Sequence, residues 1–380
     1  MPTNQTPLRL LVVMPSWVGD VVMATPTVRR LRDAHPGIFI GALVRPGINQ
    51  LLSGQTLFDE IHIATTQGMM ATKKTANKIR PRQYDTALLL TNSFSTALTT
   101  RLAFIPRRIG YNRDTRGMLL TDPVSPPRNT DKSWKLTPAV DYYWNLASHL
   151  LNEDPVVWSI HTPTNCKNLP LALPKGTQME LGYTDEDQAK ANSILSQAFG
   201  SDPTTHPNYA ILNPGGNNHA KRWPAERFAH IANTLRTKHH LAVLINGSPA
   251  EAELCDQIIE LADTNHPPIS LPALGNTLGA LKPIVEGASI MVTNDTGPRH
   301  IAAALGTPIV TLFGPTDPRW TTIPVHPLPS GEPSEIIIVA DDTLPPDQSA
   351  NDHPERCAIE HIEIEQVEAA IESLISSASA

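Results

Sequence analysis

The sequence predicts an α/β protein built as two doubly wound domains. Three observations carry that reading. The chain has 380 residues, and at roughly 100–200 residues per domain two cores are expected. Short continuous apolar runs alternate with amphipathic stretches, which is the pattern of parallel strands covered on both faces by helices. The alternation breaks over residues 150–208 and then restarts, dividing the chain into 1–160 and 161–380.

In the first half, Leu8–Met14 is a strand of mostly Leu and Val, followed by a helix over Val21–Leu31. Ile38–Val44 and Ile61–Ala64 are further strands. Asp85–Thr91 is a buried strand around its Ala-Leu-Leu-Leu run, and Arg108–Tyr111 is another. The break at 150–208 is rich in Asn, Pro and Thr and holds one helix beginning near Thr184. After it come a strand at Ala210–Asn213, a helix at Ala225–Lys238, a strand at Leu241–Asn246 and a helix at Pro249–Leu261. Leu278–Glu286 is a helix, Ser289–Thr293 a strand, Pro298–Leu305 a helix and Ile309–Phe313 a strand. Residues 321–356, rich in Pro and Asp, read as a long surface excursion, and Ile364–Leu374 as a final helix that packs back on the first domain. Doubly wound halves bind ligands at the carboxyl ends of their strands, so the expected site is a cleft between the two domains.

Composition narrows the class. Hydrophobic residues make up 40% and charged residues 18%, a globular balance rather than a disordered one. Proline is abundant, with 36 residues, and much of it lies in loops such as Pro123–Pro127 and Pro345–Pro346. No run of about 18 apolar residues suggests a membrane span, and Met1–Pro7 lacks the layout of a secretory signal. Cys166, Cys255 and Cys357 are scattered and build neither a disulfide framework nor a CxxC metal pair, which points to a reducing cytoplasm. The net charge of −7 hides an asymmetry. Residues 1–160 carry 18 Lys and Arg against 11 Asp and Glu, and the remainder 12 against 26. Either the basic half meets an anionic partner or the split is composition drift between two domains.

Three motifs follow strands and open helices. Met14-Pro-Ser-Trp-Val-Gly-Asp20 places a carboxylate in a first helical turn, where the bland reading is an acid on the helix dipole. It is not a GxGxxG fingerprint. Asn213-Pro-Gly-Gly-Asn-Asn-His-Ala-Lys-Arg-Trp-Pro-Ala-Glu226 combines small residues at Gly215 and Gly216, amides at Asn217 and Asn218, and cations at Lys221 and Arg222. Such a loop suits a phosphorylated ligand, although it is no Walker A loop. Thr293-Asn-Asp-Thr-Gly-Pro-Arg-His300 puts Asp295 or Thr296 at a cap and leaves the N–H groups of Thr296 and Gly297 for a phosphate, with His300 about one turn in. Asp185-Glu-Asp187 imitates a DxD metal motif but reads better as a capping box on Thr184. Cys357 and His361 lack a second ligand pair, and His239-His240 suits a helix C-terminus. No metal site is predicted.

Taken together, Ser16-Trp-Val-Gly-Asp-Val-Val-Met-Ala-Thr-Pro26, Ala220-Lys-Arg-Trp-Pro-Ala-Glu226 after Asn213-Pro-Gly-Gly, and Asn294-Asp-Thr-Gly-Pro-Arg-His-Ile-Ala-Ala-Ala304 with Leu312-Phe-Gly-Pro-Thr316 resemble glycosyltransferase family 9. These are the ADP-heptose:lipopolysaccharide heptosyltransferases. The resemblance implies the GT-B fold, two Rossmann-like domains with an interdomain cleft, the first for the acceptor and the second for the nucleotide sugar. Lys-Arg-Trp-Pro with Phe-Gly-Pro-Thr is most similar to the branch that adds the second inner-core heptose.

By that resemblance Asp20 is the catalytic base and Lys221 meets the donor diphosphate. Gly216, Asn217, Asp295, Thr296, Gly297 and His300 line the donor site. Glu251, or else Glu253, would hold the ribose, and Asn276 falls near the adenine position. Ser16, Arg107, Arg108 and Arg113 are the acceptor candidates. Gly216 and Asn217 stand where some relatives carry hydroxyl residues, so only their backbone matches. The implied enzyme is inverting and metal-independent, with ADP-heptose as substrate and no cofactor. Its partners are the nucleotide sugar, a phosphorylated lipid A–core acceptor and an anionic membrane surface, with no nucleic acid and no protein partner. It would work in the cytoplasm, peripheral on the inner face of the inner membrane. The competing readings are a sugar-nucleotide epimerase of similar two-domain build and a nucleotide-sugar-binding protein without catalysis.

Overall fold

Two six-stranded sheets, each wholly parallel and each in the same strand order, form the frame of the computed structural model. It describes residues 9–68, 70–154, 171–200, 205–263, 265–345 and 347–378. Met1–Pro7, Cys166, Pro346 and the 160/161 boundary lie outside the described residues.

The first unit contains the described residues up to 154 and residues 171–180, with Trp320–Thr322. Its strands are β1 (Arg9–Val13), β2 (Phe39–Val44), β3 (Glu60–Ile63), β4 (Thr86–Leu89), β5 (Arg107–Tyr111) and β6 (Asp122–Val124), ordered β3-β2-β1-β4-β5-β6. Helices α1 (Val18–Met23), α2 (Thr25–Ala34), α3 (Ile48–Leu51), α4 (Ala71–Ile79), α5 (Phe94–Leu102) and α6 (Ala139–Leu150) accompany them. Leu10–Val13 and Ala87–Leu89 are almost wholly buried, as strands covered on both faces must be. The single helix expected over Val21–Leu31 is instead two. Pro26 lacks an N–H to continue the ladder, and the run restarts at Thr25, whose hydroxyl donates to Val22 O at 2.7 Å.

The second unit contains Leu181–Arg319 and the described residues from 323. Its strands are β7 (Tyr209–Asn213), β8 (Ala242–Ile245), β9 (Ile269–Ser270), β10 (Ile290–Asn294), β11 (Ile309–Phe313) and β12 (Glu335–Val339), ordered β9-β8-β7-β10-β11-β12. The helices are α7 (Asp185–Phe199), α8 (Ala225–Thr237), α9 (Ala252–Leu261), α10 (Leu278–Glu286), α11 (Gly297–Leu305) and α12 (Ile364–Ala378). Thr184 and Asp187 form the capping box expected of them, each side chain accepting from the other's backbone N–H.

Two expectations are corrected here. The 321–356 excursion contains β12, an edge strand paired in parallel with β11, because Ile336–Ile338 can bury apolar side chains despite the Pro-rich flanks. The final helix belongs to the second unit rather than the first. Val367, Ala370, Ile371 and Leu374 follow helical spacing and enter the core formed by α8 and the second sheet.

In each unit the strand order reverses direction between the first strand and the one beside it, β1 against β4 and β7 against β10. Ligands of doubly wound sheets bind at that switch point, outside the carboxyl ends of the strands. All three sequence motifs occupy loops at such ends.

Candidate active site

In the second unit the loops after β7 and β10 flank the switch point. Three buried asparagines tie them. Asn246, just after β8, donates from Nδ2 to Asn213 Oδ1 at 2.7 Å. Asn213 in turn donates to Thr296 Oγ1 at 2.8 Å and to Thr293 Oγ1 at 3.1 Å. Asn294 donates to Pro214 O at 2.7 Å. Fully bonded buried amides of this kind fix loop geometry.

Lys221 reaches across from the β7 loop, with Nζ 2.9 Å from Asp295 Oδ2. Behind Asp295 stands Arg299, wholly buried, with Nη1 3.5 Å from Asp295 Oδ1 and Nε 2.6 Å from Glu335 Oε1. Thr311 also donates to Glu335 Oε1, at 2.6 Å. The result is an alternating chain Lys221–Asp295–Arg299–Glu335. Burial pushes the Asp295 carboxyl up, but Lys221 and Arg299 outweigh it and hold it below its usual range.

Thr296 is the N-cap of α11, yet its hydroxyl is spent on Asn213 and does not cap the helix. The positive end of α11 is thus not capped by a side chain, as an anion-binding helix end requires. His300, one turn in, is buried with Nδ1 3.1 Å from Thr296 O. Burial, then Arg299, pushes its pKa down to about 4, so the ring is neutral at pH 7. Thr296 O can only accept, so Nδ1 carries the proton and Nε2 is an acceptor. Nε2 is buried and lacks a hydrogen-bond partner among the described residues.

Glu251 takes a different place from the one expected. Its carboxylate accepts from Gly216 N at 2.7 Å and from Ser248 N and Oγ at 2.8 and 2.7 Å. It clamps the β7 loop to the β8 loop. Burial opposes its ionisation, but the Ser248 and Gly216 donors outweigh that and lower its pKa. A Cβ on Gly215 would stand 2.3 Å from Glu251 Oε1, whereas one on Gly216 would meet only ordinary contacts. Glu253 is exposed on α9, and Asn217 is exposed in its loop. Asn276 Oδ1 is buried and without a partner among the described residues.

In the first unit Asp20 lies in the first turn of α1, after β1. Its Oδ1 accepts from Tyr143 Oη at 2.8 Å. Burial, then the Asp20 charge, raises the Tyr143 pKa well above its ordinary value, so the phenol remains the donor. Ser16 is half-buried in the same loop.

The arginines divide sharply. Arg107 pairs with Asp122 at 2.9 Å. Arg108 is buried, donating to Leu119 O at 2.7 Å and Ile105 O at 2.5 Å. Both are held by groups of the protein itself, Arg107 by Asp122 and Arg108 by backbone carbonyls, which is at odds with their assignment to the acceptor. Arg116, of the same basic run, is likewise buried on Tyr111 O, Thr91 O and Asn92 Oδ1. Arg113 differs. It is half-buried, stacked 3.8 Å from the Trp134 ring, and Arg128 lies against that ring at 3.9 Å.

The family model for glycosyltransferase family 9 (heptosyltransferase) matches residues 72–351. The chain belongs to glycosyltransferase family 9. Lipopolysaccharide heptosyltransferase 2 of Escherichia coli strain K12 is 28% identical over 320 residues, covering 83% of this chain and 85% of that protein. Lipooligosaccharide heptosyltransferase 2 of Haemophilus ducreyi is 27% identical, with the same shares covered. The solved E. coli ADP-heptose lps heptosyltransferase II superposes with a TM-score of 0.75 at 24% identity, over 98% of this chain and 100% of that one. A family 9 glycosyltransferase of Veillonella parvula superposes with the same TM-score at 21% identity, over 98% and 99%. The fold is the GT-B fold of these heptosyltransferases.

For this family 9 enzyme, sequence reasoning missed three functional neighbours. Tyr143 orients Asp20 from α6, 123 residues away. Glu335 anchors Arg299 from a strand hidden in a Pro-rich stretch. Asn246 joins the amide network from the end of β8. The one available signal was Asn246, a polar residue closing an apolar strand.

Proposed function

We propose that this glycosyltransferase transfers heptose from ADP-heptose to the lipopolysaccharide inner core, placing the second heptose on the first. The carrying observation is the pairing of two switch-point sites in one chain: a carboxylate oriented by a buried phenol, Asp20–Tyr143, and an uncapped helix end beside a lysine, α11 with Lys221. Names of relatives that are heptosyltransferase 2 enzymes support the choice of acceptor.

The donor diphosphate sits on Lys221 and the α11 N-terminus. Asp20 takes the proton of the acceptor hydroxyl, whose oxygen attacks the anomeric carbon of heptose. The new glycosidic C–O bond forms as the bond from that carbon to the diphosphate oxygen breaks, with inversion. ADP leaves with the electron pair, its growing charge met by Lys221 and the helix end. Asn276 stands toward adenine, offering an amide oxygen to an exocyclic amine. Arg113 and Ser16 face the acceptor. No cofactor enters the reaction, and Lys221 and α11 do the work a metal does elsewhere. No described helix is long and apolar enough to cross a membrane, and the lipid-anchored acceptor brings the enzyme to the inner face of the inner membrane as a peripheral protein.

Mass spectrometry of products made from ADP-heptose tests this. A heptose-bearing core should gain one heptose with release of ADP, and a heptose-free core should gain none. Transfer to the heptose-free core, or acceptor-independent change of ADP-heptose, overturns the reading.

A further inference from the structure

The α4 and α5 region of the first unit combines exposed cations with exposed apolar side chains. Residues 61–113 contain nine Lys and Arg, and Asp85 is their one carboxylate. Asp85 is engaged, accepting from Arg9 N at 2.8 Å. Lys73, Lys74 and Lys78 of α4, with Arg101 of α5, are exposed and have no ion-pair partner among the described residues. Apolar side chains stand among these cations. Along α5, Phe94, Leu98, Arg101 and Leu102 follow the i, i+4, i+7, i+8 spacing of one helical face. Phe94 is 45% and Leu102 36% exposed.

Phe104, just past the end of α5, is 72% exposed, and Met118 on the adjoining turn is 83% exposed. Phe104 also has φ +61°, a left-handed conformation that a glycine or asparagine takes at a helix end and a bulky side chain avoids. Arg80 ties the two helix ends, donating to Leu102 O at 2.8 Å and lying 4.4 Å from the Phe104 ring. Folding alone favours neither an aromatic at that φ nor its exposure. Exposed apolar side chains with unpaired cations on the neighbouring helix are instead what enters a lipid interface, with the side chains reaching the acyl boundary and the cations at the headgroups.

From this we infer that the α4–α5 face docks the enzyme onto an anionic lipid bilayer. The inference rests on the reading of a lipid-anchored acceptor and names the surface that meets its membrane. It places the membrane contact on Phe104, Met118, Arg101 and the α4 lysines.

Vesicle flotation tests it with the full chain. Wild-type protein should float with vesicles of phosphatidylcholine containing about one third phosphatidylglycerol, stay behind with phosphatidylcholine alone, and detach as salt is raised. Phe104→Gly should lower binding about tenfold or more while keeping or raising Tm, since glycine accepts the positive φ. Lys74→Glu with Arg101→Glu should lower it at least about fivefold per cation. Both variants should still transfer heptose to detergent-dispersed acceptor, an assay that tests the proposed reaction separately from docking. Equal binding to neutral vesicles, no vesicle binding by wild type, or full binding by both variants overturns the inference. So does loss of self-association in the variants by sedimentation velocity with vesicle binding intact, which would make the face an interface between copies.

Discussion

Lys221 Nζ lies 2.9 Å from Asp295 Oδ2, so the cation assigned to the donor diphosphate already holds a carboxylate. Asp295 is not solely dependent on it, because Arg299 Nη1 stands 3.5 Å from the other oxygen. The lysine can therefore be shared with, or ceded to, an incoming phosphate without stranding a buried charge. Lys221→Ala should fold normally and weaken ADP binding by about ten- to a hundredfold, the worth of a charge-assisted hydrogen bond. Transfer should slow by more than binding weakens, because the leaving diphosphate gains charge in the transition state. Calorimetry with ADP and steady-state turnover check both, and unchanged ADP affinity would sink the assignment.

The Asp20–Tyr143 bond separates a base from a helix-end acid. Asp20→Ala should lower kcat by about 10²–10⁴-fold with little change in ADP affinity. Tyr143→Phe removes only the donor at 2.8 Å, so its loss of kcat should be smaller, about three- to thirtyfold, and additional to nothing in the Asp20→Ala background. The double variant decides: if Tyr143→Phe slows the Asp20→Ala enzyme further by its full factor, the phenol does not act through Asp20.

Glu335 carries a stability prediction. Its side chain is 5% exposed and meets the wholly buried Arg299 at 2.6 Å. Glu335→Ala removes that carboxylate from the buried guanidinium and should cost about 3–5 kcal/mol of unfolding free energy. Denaturant midpoints measure it. A loss within about 0.5 kcal/mol, the range of ordinary surface changes, would mean that the pair does not form.

Much of this fold was legible because strand burial writes itself as continuous apolar runs. Ile309–Phe313 and Leu278–Glu286 emerge with the bounds read from sequence. What was illegible has physical causes. Strand β9 is two residues long, below any periodic signal. Helix α5, Phe-Ser-Thr-Ala-Leu-Thr-Thr-Arg-Leu, is rich in residues that compete with the helix backbone, and α4 hides a narrow apolar stripe among lysines. In the site, the motifs gave Asp20, Lys221 and Asp295 because local loops carry them. Arg107 and Arg108 misled because net charge does not reveal whether a guanidinium faces solvent or its own backbone. Glu251 looked like a ligand group, and its bond to Gly216 N spans 35 residues that no spacing rule connects.

Two buried groups with opposite shifts give the pH prediction. Asp141 of α6 accepts from Ala172 N at 3.1 Å on both oxygens, and burial raises its pKa from 3.8 to about 6. The folded state then binds a proton that the unfolded state has released, so stability falls as pH rises from about 4 to about 6. His300 runs the other way. Its folded pKa of about 4 lies below the ordinary 6.5, so the unfolded state binds the extra proton and stability rises across nearly the same window. In wild type the two slopes largely cancel. Asp141→Asn keeps one acceptor for Ala172 N and removes the buried charge, which exposes the His300 slope. Relative to wild type, the variant should show little difference near pH 4 and a gain growing to about 3 kcal/mol above pH 6, the value of a two-unit shift. Urea melts of both proteins from pH 4 to pH 8 measure this difference. A gap that stays constant with pH, or that widens toward pH 4, would show that Asp141 is not held protonated by its burial.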